Sequence, residues 1–303
     1  MLCYAIVVTY NGSKWVDKCF GGLLNSTFPV KIIAVDNCSS DDTLDLLRGK
    51  FPSVEIVGLN KNLGFGGANN VGIAIAQKAG ADYIFLLNQD AWVDPDTIEN
   101  LIRVDKMFSG FGIISPVHLN GDGNAFDYGF MNCLCGSKEK IHLSDFYLKP
   151  KAELNNIYRI DFVNAAAWLL SRKTIEKVGG FNPLFFQYGE DQDYVNRCKY
   201  FRLKIGFVPL AKVYHGRPQY DTDEKKQIVL RTTILAGLLD PEGENKFNKN
   251  IRDLVVSIIK DLLFFRLRQV NFLFGELRFY FLNKKNIFDN ISKAKKEGMT
   301  FLG

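Results

Sequence analysis

The sequence predicts an α/β fold: a mixed, mostly parallel sheet flanked by helices and followed by a helical tail. Three observations carry this expectation. From residue 4 to residue 87, short apolar runs rich in Ile, Val, Leu and aromatics alternate with helical patterns, as in crossover units. Each run ends in polar residues, where a parallel sheet collects its ligands. Beyond residue 250 the pattern changes to long stretches of Leu, Ile, Val and Phe broken by Lys and Arg.

The elements follow in order. Residues 4–9 form a first strand that ends at Tyr10-Asn11-Gly12, and residues 14–26 read as a helix. Residues 32–35 are a buried-type strand ending at Asp36-Asn37. Ser39-Ser40-Asp41-Asp42-Thr43 then opens a helix with capping residues and early acids, which suit its dipole. Residues 54–59 are a third strand, 66–79 a helix rich in small residues, and 83–87 a fourth strand. Residues 110–160 are rich in Gly, Asn and Asp and read as loops with short strands. Residues 162–171 return to apolar character, and 174–178 form a short helix stopped by Gly179-Gly180. Residues 191–201 read as a helix that starts with acids; 205–209 and 211–215 are strand-like. Asp240-Pro241-Glu242-Gly243-Glu244-Asn245 is the expected hinge, dividing a domain of residues 1–240 from a tail of residues 241–303.

The net charge of +5 is unevenly placed. Residues 1–250 carry 28 basic and 28 acidic residues, whereas residues 251–303 carry 10 and 5. A neutral body with a basic tail argues against a nucleic-acid binder and for one local anionic partner such as a membrane surface. The six cysteines lack zinc spacing and read as free thiols of a reducing compartment. The first residues read as a strand, without the basic start of a signal peptide. No uncharged run in the tail reaches 18 residues, so amphipathic helices with Lys284-Lys285 and Lys293-Ala294-Lys295-Lys296 as anchors are expected there. Peripheral contact with the inner face of a membrane, a helical cap and a homodimer contact are the open alternatives.

Four groups of residues carry the chemistry. Asp36, with Thr9, Tyr10 and Asn11 on the neighbouring strand end, can accept from a pyrimidine N3–H while Tyr10 packs on the base. Lys61, Gly64 and Asn69 lie in a glycine-rich stretch, Asn60 to Asn70, whose amides can approach a phosphate or sugar. The third glycine of a dinucleotide fingerprint is missing there and the loop follows the third strand, which argues against NAD or FAD. Asp90, after Asn88-Gln89, is a hard donor for Mg²⁺ or Mn²⁺, and His215 with Arg217 can serve a metal or a phosphate. Glu190, Asp191 and Asp193 crowd three carboxylates into four residues, which raises at least one pKa and suits a general base.

Taken together, these residues resemble the inverting family-2 glycosyltransferases with the GT-A, Rossmann-like nucleotide-sugar fold. The segments that carry the likeness include Val7-Val8-Thr9-Tyr10-Asn11, Val35-Asp36-Asn37, Leu87-Asn88-Gln89-Asp90, Gly179-Gly180-Phe181-Asn182 and Tyr188-Gly189-Glu190-Asp191-Gln192-Asp193. They run in order across residues 4–215, closest in look to rhamnosyltransferase-like members that build O-antigen or capsule. The resemblance implies single-sugar transfer from a UDP- or dTDP-sugar to a saccharide or lipid-linked acceptor on the cytoplasmic side. In it Thr9, Tyr10, Asn11 and Asp36 bind the nucleoside, Lys61, Gly64 and Asn69 lie near the donor, Asp90 holds the metal and diphosphate, and Asp191 is the base. Asn88 stands where family members often carry Asp, which keeps a catalytically inactive nucleotide-sugar binding module as the alternative. A nucleotidyltransferase would need a glycine-rich basic loop after the first strand, where this chain has Thr9-Tyr10-Asn11-Gly12-Ser13-Lys14.

Overall fold

The computed structural model describes residues 1–138, 156–217, 223–242 and 247–302. Part of the expected loop region (139–155) and part of the expected hinge (243–245) lie outside these residues. The fold starts from period-two alternation in β1 (Cys3–Thr9), β2 (Val30–Asp36) and β4 (Tyr83–Asn88). Tyr4, Ile6, Ile33, Val35, Ile84 and Leu86 face one core, and Cys3, Ala5, Val7, Ile32, Ala34 and Phe85 face the other. Both sheet faces are therefore buried, which explains why these strands read as continuous apolar runs.

β1 pairs in parallel with β2 and β4, and β2 with β3 (Glu55–Gly58). The crossovers are α1 (Val16–Leu24), α2 (Thr43–Lys50) and α3 (Gly64–Lys78). The chain continues through β5 (Ala91–Val93), α4 (Thr97–Met107), β6 (Phe111–Asn120), α5 (Tyr128–Gly136), β7 (Tyr158–Arg159) and β8 (Ala167–Ser171). It then forms α6 (Arg172–Val178), α7 (Glu190–Tyr200) and β9 (Lys204–His215). The sheet order is β3-β2-β1-β4-β8-β6-β9-β5, with β7 on β9. β8 runs antiparallel to both β4 and β6, β5 and β7 run antiparallel to β9, and β6 is parallel to β9. Six of the nine strands thus point one way, and their carboxyl ends share one edge.

The two strand-like runs at 205–209 and 211–215 are one strand. The register on β6 shifts from Pro116↔Val208 to Val117↔Lys212, so β9 bulges at residues 209–211 and continues to His215. That extension brings His215 opposite Ala91, one residue from Asp90.

Four helices follow: α8 (Asp223–Leu238), α9 (Phe247–Leu263), α10 (Leu267–Leu282) and α11 (Lys284–Ala294). They enclose a third core in which Leu235, Leu239, Phe247, Leu254, Tyr280 and Ile287 meet Phe185 of the sheet domain. The helical region begins with α8, ahead of the expected hinge. The chain end returns to the domain: Gly180 N donates to Thr300 O at 2.8 Å, and Asn70 Nδ2 donates to Phe301 O at 3.0 Å. Gly179 ends α6 at φ +81°, and a Cβ there would lie 2.1 Å from Thr300 O. Only glycine allows that approach. Among the described residues no helix is long and apolar enough to cross a membrane.

Candidate active site

The loops after β1 and β2 organise each other. Thr9 Oγ1 and Ser39 Oγ donate to Asp36 Oδ1 at 2.9 and 2.6 Å, and Ser39 N donates to Oδ2 at 2.9 Å. Asp36 is 1% exposed, so three of its roughly four acceptor positions serve the protein and one remains, on Oδ2. Asn11 takes φ +47°; its Oδ1 accepts from Ser40 N at 2.8 Å, and its N donates to Ser39 Oγ at 3.0 Å. Gln89 clasps the Tyr10 backbone from both sides, at 2.9 and 3.1 Å, and leaves Tyr10 46% exposed. The result is a rigid polar ledge with one half-exposed aromatic ring.

The glycine-rich loop departs from its sequence expectation. Leu63 N donates to Asn37 Oδ1, Gly64 N to Asn62 Oδ1 and Phe65 N to Phe186 O. Those three amides are committed to protein acceptors, so they are not a phosphate cradle. Gly64 is there for space: at φ +74° a Cβ would fall 2.0 Å from Phe186 O. Asn69 is buried and turns its amide back onto Phe65 O at 3.0 Å, which ties down the first turn of α3. Lys61 stands exposed at the rim.

The acidic run divides by function. Tyr188 and Gly189 both adopt positive φ, +65° and +86°, and turn the chain sharply into α7. Asp193 faces away from the cleft. It holds Arg197 at 2.8 Å in a wholly buried pair and accepts from Asn182, while Arg197 donates to Val178 O and Gly180 O. The Asp193 carboxylate is therefore committed to the Arg197 pair, and its charge also helps to raise Glu190. Glu190 and Asp191 are a coupled pair. Burial, and then the charge of Asp191, pushes Glu190 up to about 8, and its Oε2 has no hydrogen-bond partner among the described residues. Burial also raises Asp191, to about 6, against backbone hydrogen bonds including that from Gln192 N at 2.8 Å. The crowding read from the sequence is real, although desolvation outweighs it.

Asp90 and His215 meet at the ends of β4 and β9. His215 Nε2 lies 3.2 Å from Asp90 Oδ1, and Nδ1 lies 3.6 Å from Asp127 Oδ2. Asp127 was not foreseen. It sits in the Gly/Asn/Asp-rich stretch, caps α5 through Phe130 N, and is itself fully buried. Arg217 forks onto it, with Nε to Oδ2 at 3.1 Å and Nη2 to Oδ1 at 2.7 Å. Burial would raise the Asp127 carboxyl, but the Arg217 fork and the His215 charge outweigh it and hold it at about 2. Asp90 is likewise lowered: burial opposes ionisation, and contact with His215 and the charge of Arg217 overcome it. The charge of Arg217 also favours ionisation of Asp191, as it does of Asp90.

These residues can hold a divalent cation with help. Among the described residues no group of three or more His, Cys, Asp or Glu is arranged around one point. The 3.2 Å between Asp90 Oδ1 and His215 Nε2 is the spacing of two neighbouring ligands each about 2.1 Å from one ion. Asn88 Oδ1 and both His215 ring nitrogens are buried without hydrogen-bond partners among the described residues. Two or three protein donors suit Mg²⁺ or Mn²⁺ that completes its shell with phosphate oxygens and water.

The sheet order and flanking helices are those of the GT-A fold. Residues 4–133 match the family model described as glycosyl transferase family 2, and the sequence relatives support the same family. Several relatives are rhamnosyltransferases. One is the N-acetylglucosaminyl-diphospho-decaprenol L-rhamnosyltransferase of Mycobacterium tuberculosis, 25% identical over 70% of this chain and 75% of the relative. Another is the O-antigen chain rhamnosyltransferase RfbN of Salmonella typhimurium, 34% identical over 70% of this chain and 65% of the relative. Among solved structures, mannosyltransferase PcManGT from Pyrobaculum calidifontis, in complex with GDP-Man and Mn²⁺, superposes with a TM-score of 0.55. It is 17% identical over 82% of this chain and 64% of that one, a likeness of fold alone.

Proposed function

We propose that the chain is an inverting transferase that moves a single sugar, rhamnose as the leading candidate, from a dTDP- or UDP-sugar to a hydroxyl of a saccharide or lipid-linked acceptor. The observation that carries this is the cluster at the ends of β4 and β9, where His215 lies 3.2 Å from Asp90 and 3.6 Å from Asp127, and Arg217 forks onto Asp127; Asp90 is lowered there, and burial raises Asp191 to about 6. One suits a cation and a diphosphate; the other suits a base. The acceptor oxygen attacks the anomeric carbon as the bond from that carbon to the phosphate oxygen breaks, and the hydroxyl proton passes to Asp191. The nucleoside diphosphate leaves with the bonding pair, toward Asp90, His215 and Arg217. A bound Mg²⁺ or Mn²⁺ supplies charge neutralisation for that leaving group. Asp36 and Tyr10 are assigned to the nucleoside, through the remaining acceptor position on Oδ2 and the half-exposed ring. The names of the relatives support the sugar and the acceptor class: an L-rhamnosyltransferase acting on a diphospho-decaprenol-linked sugar and an O-antigen chain rhamnosyltransferase.

The test is release of nucleoside diphosphate from a panel of nucleotide sugars with Mn²⁺, using wild type and Asp191→Asn. Turnover of one donor by wild type, with at least ~10²-fold loss in the variant, fits the usual contribution of a general base. No turnover of any donor, with nucleotide sugar still bound, would favour a binding module.

A further inference from the structure

We propose that the elbow between α9 and α10 is a docking tip for an anionic lipid surface. α9 carries two apolar stripes. Leu254 packs into the tail core and Ile258 is buried, while Val256, Ile259 and Leu263 are 58%, 53% and 73% exposed. The chain then turns through Phe264 and Phe265, 63% and 87% exposed, with Phe265 at φ +54°. On α10, Leu267, Phe274 and Phe281 recur every seven residues and are all more than half exposed. Six consecutive residues, 262–267, are exposed, so the elbow projects from the molecule. Exposed apolar surface of this extent marks an interaction site.

Charge selects the occupant. Residues 249–268 carry five Lys or Arg against two Asp. Arg266 sits inside the elbow 3.6 Å from Asp261 with its side chain 58% exposed, and Lys260 before it is exposed. A second copy would bring the same net-basic segment against itself. An anionic bilayer neutralises that segment and accepts projecting phenyl rings among its acyl chains, as it does for interfacial amphipathic helices.

The tip is coupled to the catalytic domain. Phe185 lies in the tail core, and Asn196 Nδ2 of α7 donates to Ala236 O at 3.3 Å. A Cβ on Gly189 would lie 2.8 Å from Thr232 Cβ of α8. The turn that sets Asp191 is thus packed on the same bundle that bears the tip, so docking would fix the site relative to the lipid surface.

The experiment uses the full chain and vesicles of phosphatidylglycerol or of phosphatidylcholine, with no sugar donor, so its outcome is separate from that of the transferase assay. Wild type is expected to co-sediment with phosphatidylglycerol vesicles, and Phe264→Ser/Phe265→Ser to lose at least about tenfold in partitioning, the factor one buried phenyl ring supplies. Phe265→Trp places a tryptophan at the tip, far in sequence from Trp15, Trp92 and Trp168. Its fluorescence is expected to be quenched by acyl-brominated phosphatidylglycerol, and that of wild type is not. Unquenched Phe265→Trp, or equal sedimentation of wild type and the double variant, would overturn the proposal. So would a wild-type dimer that the double variant dissociates, with no vesicle binding by either.

Discussion

The Glu190→Gln variant is expected to gain stability relative to wild type as pH rises. Glu190 titrates at about 8 in the folded chain against 4.5 for a free carboxyl, so between those values the native state holds a proton that the unfolded chain has released. Stability then falls as pH rises, by ~1.4 kcal/mol per unit, or ~3 kcal/mol by neutral pH. Gln cannot ionise and removes that slope. Its amide enters a site where Oε2 has no partner, which costs about 1–3 kcal/mol at every pH. The variant should therefore match or fall below wild type near pH ~5 and exceed it near pH ~8. Because Glu190 and Asp191 share one buried site, wild type titrates as a pair and the variant keeps one step. Urea midpoints at four pH values, with unchanged m, give the difference directly. A stability difference that stays constant from pH ~5 to ~8 would refute the burial argument.

Two further expectations concern the site. The turnover of wild type should decline as pH falls through about 6, where Asp191 takes up its proton, and Asp191→Asn should lose at least ~10²-fold at all pH values while binding donor normally; pH–rate profiles check both. Asp127→Asn should weaken Mn²⁺ affinity by about 10–100-fold, because it loosens the Arg217 fork and the orientation of His215; titration with Mn²⁺ by paramagnetic resonance reads this without turnover.

The parallel half of the sheet was legible because both faces of β1, β2 and β4 are buried, which leaves unbroken apolar runs and polar ends in the sequence. The same reading placed Asp90 and His215 at strand ends, where the structure brings them within 3.2 Å, whereas Asp191 opens a helix after a loop. Asp127 was illegible because its signals, a loop acid and a helix cap, are common, and its partners Arg217 and His215 are about ninety residues away. β9 read as two pieces because Pro209 breaks the pattern at the bulge. Gly179 and Gly180 read as a helix stop, and their second duty, admitting Thr300, depends on a contact some 120 residues away. The glycine-rich loop read as a phosphate site because its composition suits one. Composition does not reveal that Asn37, Asn62 and Phe186 already take the amides.

The central claim is that Asp90 and His215 hold a nucleoside diphosphate through a divalent cation. Calorimetry of dTDP and UDP binding to wild type and to Asp90→Ala, each with Mn²⁺ and with EDTA, tests it most directly. Binding by wild type with Mn²⁺, abolished by EDTA and by Asp90→Ala alike, is the expected result. Equal binding under all four conditions would contradict it and leave Arg217 to hold the diphosphate without a cation.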